Sequence, residues 1–211
     1  GRLRMYLGID LTTTERRPSA GAVLDGEGVL REWRLLGGDT AIVAWVEEWR
    51  PRAVAVDAPL SLPRGLCCLE ADCPCRPLAA DGLKAAEREL VRRGIGLFRT
   101  GKRSIIKGMV YRAMGLRQAL AQRGTPVLEV YPYASKVALF GRRIPKKGTA
   151  ACRAWLQGRL AALVPGLAAE ATPLGHDELD AVVAAYTAYL YGAGRATAVG
   201  DADEGLIYVP G

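Results

Sequence analysis

The sequence predicts an α/β fold. Its mixed five-stranded sheet has the first three strands antiparallel, is flanked by helices, and carries a Cys-containing helical insertion between strands four and five. Three observations lead there. Short apolar runs with branched or aromatic members occur at Arg4–Leu11, Ala53–Asp57 and Pro126–Glu129, the pattern of buried strands. Two more runs, Ser19–Leu24 and Val29–Leu36, flank Asp25-Gly26-Glu27-Gly28, and Asp-Gly between apolar runs signals a hairpin. Between and beyond the later runs, apolar residues fall at helical spacing.

Taken in order, the chain opens with three strands of a meander, and Gly37-Gly38-Asp39 ends the third. Asp39 or Thr40 can cap a helix running to about Trp49, with Ile42, Val43, Trp45, Val46 and Trp49 as its apolar stripe. Pro51 closes that helix. The fourth strand follows, and Ala58-Pro59 ends it. Leu60–Ala80 is a loop too long to be ordinary, and it holds Cys67, Cys68, Cys73 and Cys75. Helices are expected over Asp81–Arg93 and from about Ile105 to Gln122. The fifth strand ends at Tyr131-Pro132. Shorter helices should cover Ala134–Leu139 and about Thr149–Val164, and a loop with Pro165 and Pro173 leads into a long helix from His176 to about Tyr191. Leu206–Val209 is a candidate final strand.

Length and composition bound the reading. At 211 residues, half of them apolar, the chain is expected to form one domain over residues 1–211, with an insertion at about 60–123. No apolar run reaches membrane-spanning length and no secretory signal opens the sequence, so the expectation is a cytoplasmic protein with no membrane partner. Asn is absent and Gln occurs only at 118, 122 and 157, a depletion expected of a thermophile and also produced by GC-rich coding. The net charge is +7. Between Lys84 and Arg123 eleven Lys and Arg face only Glu87 and Glu89, and Lys136–Arg153 adds six with no acid. Basic segments around an acidic remainder suit a polyanion held over a cation site; ordinary solvated helix faces are the competing reading.

The acids supply the chemistry. Asp10, Asp57 and Glu129 each end or nearly end an apolar run, and a carboxylate beside a packed core needs a metal, a basic partner or a hydrogen-bonding ligand. Three strands with three carboxylates suggest a metal site. In the last long helix Asp177 and Asp180 are three residues apart on one face, continued by Ala181 and Ala184, which are small enough to let the helix approach the sheet closely. Asp177 and Glu178 also suit the helix dipole. The element order is that of the ribonuclease H-like fold, in which strand one is central and strand four its neighbour, bringing Asp10 and Asp57 together.

"GID" on strand one, "VAVDAPLSLP" after strand four, "LEVYP" on strand five, "HDELDAVVAAYTA" and the closing "DEGLIYVP" resemble the predicted ribonuclease H-fold nucleases grouped as domain of unknown function 429. The acidic helix also resembles that of the Holliday-junction resolvase RuvC. The resemblance implies an acidic cluster of Asp10, Asp57, Glu129, Asp177 and Asp180 binding two divalent cations, and a nuclease acting on DNA or RNA. Two Mg²⁺ or Mn²⁺ ions roughly 3.5–4 Å apart activate the nucleophile and offset charge on the attacking and leaving oxygens. Such cations take carboxylate oxygens rather than thiolates. Asp10 would bridge them. His176, the only histidine, is the candidate proton shuttle to the leaving oxygen, or else a polar residue opening a helix.

Lys84, Arg88 and Arg92 recur four residues apart, and with Lys102, Arg103 and Lys107 they are candidate phosphate contacts. The four clustered cysteines suit a structural Zn²⁺, although Cys-Cys and Cys-x-Cys differ from the usual Cys-x2-Cys knuckle. Disulfides compete with that reading, as do free thiols. In each case the expected role is to staple the long loop. Cys152 reads as core filling. Two other functions remain: a non-catalytic nucleic-acid-binding module of the same fold, and an ATP-binding phosphotransferase of the actin and Hsp70 type. For the latter, Gly8–Thr13 resembles the phosphate-binding turn, but the second Asp-x-Gly-Gly motif is absent.

Overall fold

The computed structural model describes residues 4–168 and 173–211, so part of the loop with Pro165 and Pro173 lies outside the described residues. Strands β1 (Met5–Asp10), β2 (Ser19–Asp25) and β3 (Leu30–Leu36) form the antiparallel meander. Helix α1 (Gly38–Trp49) and strand β4 (Ala53–Val56) follow, and then the insertion with α2 (Ala85–Arg92) and α3 (Lys107–Ala121). Strand β5 (Val127–Val130) leads to α4 (Pro132–Phe140), α5 (Ala150–Ala161) and α6 (His176–Gly192), and a hairpin of β6 (Ala196–Asp201) and β7 (Gly205–Pro210) closes the order. Among the described residues no helix is long and apolar enough to cross a membrane.

The sheet has seven strands, in the order β3-β2-β1-β4-β5-β7-β6, not the five expected. Strands β1, β4, β5 and β7 run parallel in the middle, and β6 pairs antiparallel with β7 at one edge. The expected Leu206–Val209 strand is the core of β7. The unexpected β6 reads Ala-Thr-Ala-Val-Gly-Asp, and alanine and glycine are poor strand formers by propensity. Its Gly200 has φ +109°, and a Cβ there would sit 2.6 Å from the Ala86 Cβ. Strand β6 is held by pairing along its whole length with β7, and α2 lies directly over Gly200.

Alternation along the strands divides the core. Leu7, Ile9, Val54 and Val56 pack on one face with Ile42 and Trp45 of α1 and Leu116 and Leu120 of α3. Tyr6, Ala53, Ala55, Leu128 and Val130 pack on the other with Ala184 and Ala188 of α6. Helix α6 lies against β1 at Gly8, where a Cβ would fall 2.1 Å from the Ala185 amide nitrogen and 2.2 Å from the Ala181 carbonyl oxygen. Only a glycine admits that approach. It fixes the height of α6 over the sheet and hence the position of Asp180.

Candidate metal centre

Asp10 ends β1, and Asp57 follows β4, its amide donating to the Ile9 carbonyl at 2.9 Å. Because β1 and β4 are parallel with Ile9 opposite Val56, the next residues on each strand, Asp10 and Asp57, project side by side toward α6. The two carboxyls lie close enough for each to shift the other. Burial first, then the charges of Asp57, Asp180 and Asp177, push the Asp10 carboxyl up to about 9. Burial and then Asp180 push Asp57 up to about 7, with Lys147, the Asp10 hydrogen bond and Lys136 pulling it back.

Asp180, on the first turns of α6, is buried and paired with two lysines. Lys136 Nζ donates to Oδ1 at 2.8 Å and Lys147 Nζ to Oδ2 at 2.9 Å. Lys136 is buried on α4, whereas the Lys147 side chain is 66% exposed. Although burial disfavours its charge, Asp180 and then Asp10 and Asp57 hold Lys147 well above the ordinary lysine range. Sequence reasoning misses these two lysines. A lysine within Pro132–Phe140, an otherwise apolar helix, is the signal that could find Lys136.

Glu129 lines the same cleft but does not project with the aspartates. It pairs with Val56 across β4 and β5, on the sheet face away from α6, so alternation points it the other way from Asp57. There Lys84 Nζ donates to its two oxygens at 2.6 and 2.9 Å, and the Leu60 amide donates to Oε2 at 2.8 Å. Burial raises its carboxyl, and the Lys84 charge pulls it back. Asp177 is half-exposed, 4.0 Å from Arg17, and near enough to act on Asp10. His176 Nε2 accepts from the Gly148 amide at 3.0 Å.

The expected basic ridge is largely committed to ion pairs. Lys84 is fully buried on Glu129, a correction to its place on a phosphate-facing surface: its stem crosses the core to a carboxylate needing charge compensation. Arg88 forks onto Asp81 at 2.7 and 2.8 Å, and Lys107 reaches Glu70 at 2.9 Å. Lys102 Nζ donates to the Cys73 carbonyl. Arg92 and Arg103 are exposed. Arg112 of α3 binds Asp39 at 2.6 Å and the Thr12 carbonyl at 2.6 Å, and the Thr12 hydroxyl contacts Thr14, Arg17 and Ser19. The threonine turn is thus bonded within the protein.

Asp10, Asp57 and Asp180 lie in a cleft of about 640 Å³. Its walls come from Leu97, Phe98, Ile106 and Met109 of the insertion and from Ile144–Lys147, with Tyr131 and Tyr133 between them. His176 and Asp177 are not among the lining residues. The aspartates offer carboxylate oxygens, the donor type that a hard divalent cation takes.

A seven-stranded mixed sheet with aspartates at the carboxyl ends of adjoining parallel strands defines an α/β protein with an acidic cleft. The family described as "Protein of unknown function (DUF429)" matches residues 8–204, and the chain belongs to that family. Among solved structures, "Thermus thermophilus RuvC structure" is similar at 19% identity, over 90% of this chain and 96% of that one, with a TM-score of 0.44. Among curated proteins none matches.

Proposed function

We propose that the protein is a metal-dependent nuclease that hydrolyses phosphodiester bonds of nucleic acid in the cleft over β1 and β4. One observation carries the reading: Asp10 and Asp57 project side by side from adjacent parallel strands into an open cleft, with Asp180 delivered beside them by α6. Asp10 and Asp57 would hold Mg²⁺ or Mn²⁺, with Asp180 as a further ligand, while Asp177 would act on the site through its charge. Such cations supply a hydroxide nucleophile and offset charge on the attacking and leaving oxygens.

The remaining residues bind and orient. Lys147 is exposed and held by one carboxylate, so an incoming phosphate competes with Asp180 for its ammonium, and its departure frees an Asp180 oxygen. Lys136 is buried and keeps Asp180 aimed at the cleft. Phe98, 63% exposed on the wall, offers a face on which a base can stack. Glu129 acts through position: with Lys84 and the Leu60 amide it fixes the segment after β4 that carries Asp57. His176 reaches a leaving oxygen only after its Nε2 gives up the Gly148 amide.

A second reading rests on the two lysines of Asp180. They already neutralise that carboxylate, as they would in a nucleic-acid-binding module that needs no cation. The two are separated by substituting Asp10→Asn, which keeps size but removes the carboxylate that would ligate a cation. The parent should bind Mn²⁺ and nick mixed DNA and RNA substrates, with activity lost to chelator. The variant should fold and lose at least ~100-fold in rate, as when a major electrostatic element of a transition state is removed. A parent that binds nucleic acid but cleaves nothing with added Mn²⁺ establishes the module instead.

A further inference from the structure

The carboxylate centre leaves unused the densest group of metal-binding side chains among the described residues. The Sγ atoms of Cys67, Cys68, Cys73 and Cys75 all lie within 4.8 Å of one another, and no pair is bonded. From this convergence we infer that the four cysteines form a closed tetrathiolate site for a structural zinc ion, which pins the loop after β4 against α3.

The spacing leaves room for a single ion held by all four sulfurs. With Zn–S bonds of about 2.3 Å, sulfur atoms stand roughly 3.8 Å apart. Cys67 and Cys73 Sγ are 3.5 Å apart, and the other pairs stay within the 4.8 Å bound. Four protein sulfurs leave no open position, the mark of a structural rather than a catalytic zinc. Thiolate is also the wrong donor for Mg²⁺ or Mn²⁺, so this site and the aspartate cleft select different metals.

The surroundings suit the charge. A zinc ion with four thiolates carries a net charge of −2, and two cations lie against its backbone. Arg76 Nη1 donates to the carbonyls of Cys73, Pro74 and Cys75 at 3.4, 3.1 and 3.1 Å, and Lys102 Nζ donates to the Cys73 carbonyl. Outer partners of this kind orient ligands and tune a metal site.

The segment between the two cysteine pairs is the one that grips the rest of the molecule. Leu69 is fully buried, and its amide donates to Tyr111 Oη of α3 at 2.6 Å. Glu70 accepts from Tyr111 Oη and from Lys107 Nζ, both at 2.9 Å. Closing a metal ring around residues 69–72 therefore fixes the amino-terminal half of α3, which carries Met109 into the cleft wall. A long segment with almost no regular structure gains a fixed shape from one ion.

The test uses the full chain expressed with zinc present. Elemental analysis should give one zinc per chain, retained through dialysis. After denaturation with chelator and without reductant, all five cysteines should be alkylated. Cobalt(II) replacing zinc should give the ligand-field and sulfur charge-transfer bands of a tetrahedral tetrathiolate. A Cys68→Ser/Cys73→Ser variant should lose the metal, while Cys152→Ser and Asp10→Asn should keep it. Alkylation of only one cysteine would show two disulfides and overturn the site. So would a reduced parent that takes up neither zinc nor cobalt. If the double variant fails to fold, the metal and thiol content of the parent decide. None of these readouts depends on nuclease activity.

Discussion

At the scale of single residues, the buried Lys84–Glu129 pair makes the most direct claim on stability. Its two charges are almost fully buried, and each is compensated by the other. Glu129→Gln leaves the ammonium without its carboxylate, and the expected cost is about 3–5 kcal/mol. Adding Lys84→Met should recover much of the loss, because it removes the buried ammonium left without a counter-charge. Urea denaturation of the two single variants and the double variant measures the coupling. Mn²⁺ affinity of the double variant should stay near that of the parent, which separates a positioning role for Glu129 from a ligand role.

Asp25 governs a different property. Although burial opposes the charge, the amides of Val29 and Glu27 and the Arg31 guanidinium hold its carboxyl below the usual range. A folded value below the unfolded one stabilises the protein at pH above the unfolded value, about 3.9. That contribution is lost as pH falls from there through the folded value. Asp25→Asn should cost about 1.5–3 kcal/mol at neutral pH. The gap between parent and variant should narrow in acid, as read from thermal melts across the pH range.

At the scale of elements, the contact between α6 and β1 sets the site. Gly8→Ala places a methyl into the backbone of α6 near Ala181 and Ala185. Overpacking of this kind costs about 1–3 kcal/mol. A shift of α6 should also move Asp180 away from Asp10 and weaken Mn²⁺ binding beyond what the melt alone predicts. Unchanged metal affinity in a folded Gly8→Ala protein would show that helix height does not control the centre.

What is legible in the sequence follows from the same elements. The meander can be read because Asp-Gly stands between two alternating apolar runs, and the close approach of α6 because Ala181 and Ala184 form a small-residue stripe. Strand β6 cannot be read: its alanines and glycine carry no strand signal, and it is held by pairing with β7. Asp10 and Asp57 end strands that lie in register, so their proximity follows from topology. The orientation of Glu129 depends on which face of β5 meets α6, a tertiary fact one residue of register would reverse. The partners of Asp180 are hidden for another reason, since Lys136 and Lys147 come from α4 and a loop, far from α6 in the chain.

At the scale of the whole molecule, the net charge of +7 overstates the free positive surface. Much of the excess in residues 84–123 is committed to acids elsewhere, including Glu129, Asp39, Glu47 and Glu70. Phosphate binding should come instead from cations left exposed. Lys146 lines the cleft and Arg103 is exposed. An Arg103→Ala/Lys146→Ala variant should bind duplex DNA more weakly for all sequences alike. The slope of log affinity against log salt should become shallower by about 0.9 for each phosphate no longer neutralised. An unchanged slope, measured by fluorescence anisotropy over a salt series, would place the nucleic acid elsewhere.

The seat of α6 on β1 also orders events in time. The helix that covers β1 follows it by more than 160 residues, so a ribosome releases the strand well before its cover. Until that helix emerges, Tyr6, Ala53 and Ala55 have no cover on their face, and Asp10 stands without Asp180. A nascent chain can pair its meander early, but it holds an unsealed sheet and an incomplete acid cluster until α6 is made. The acid cluster is complete only once α6 has settled on β1.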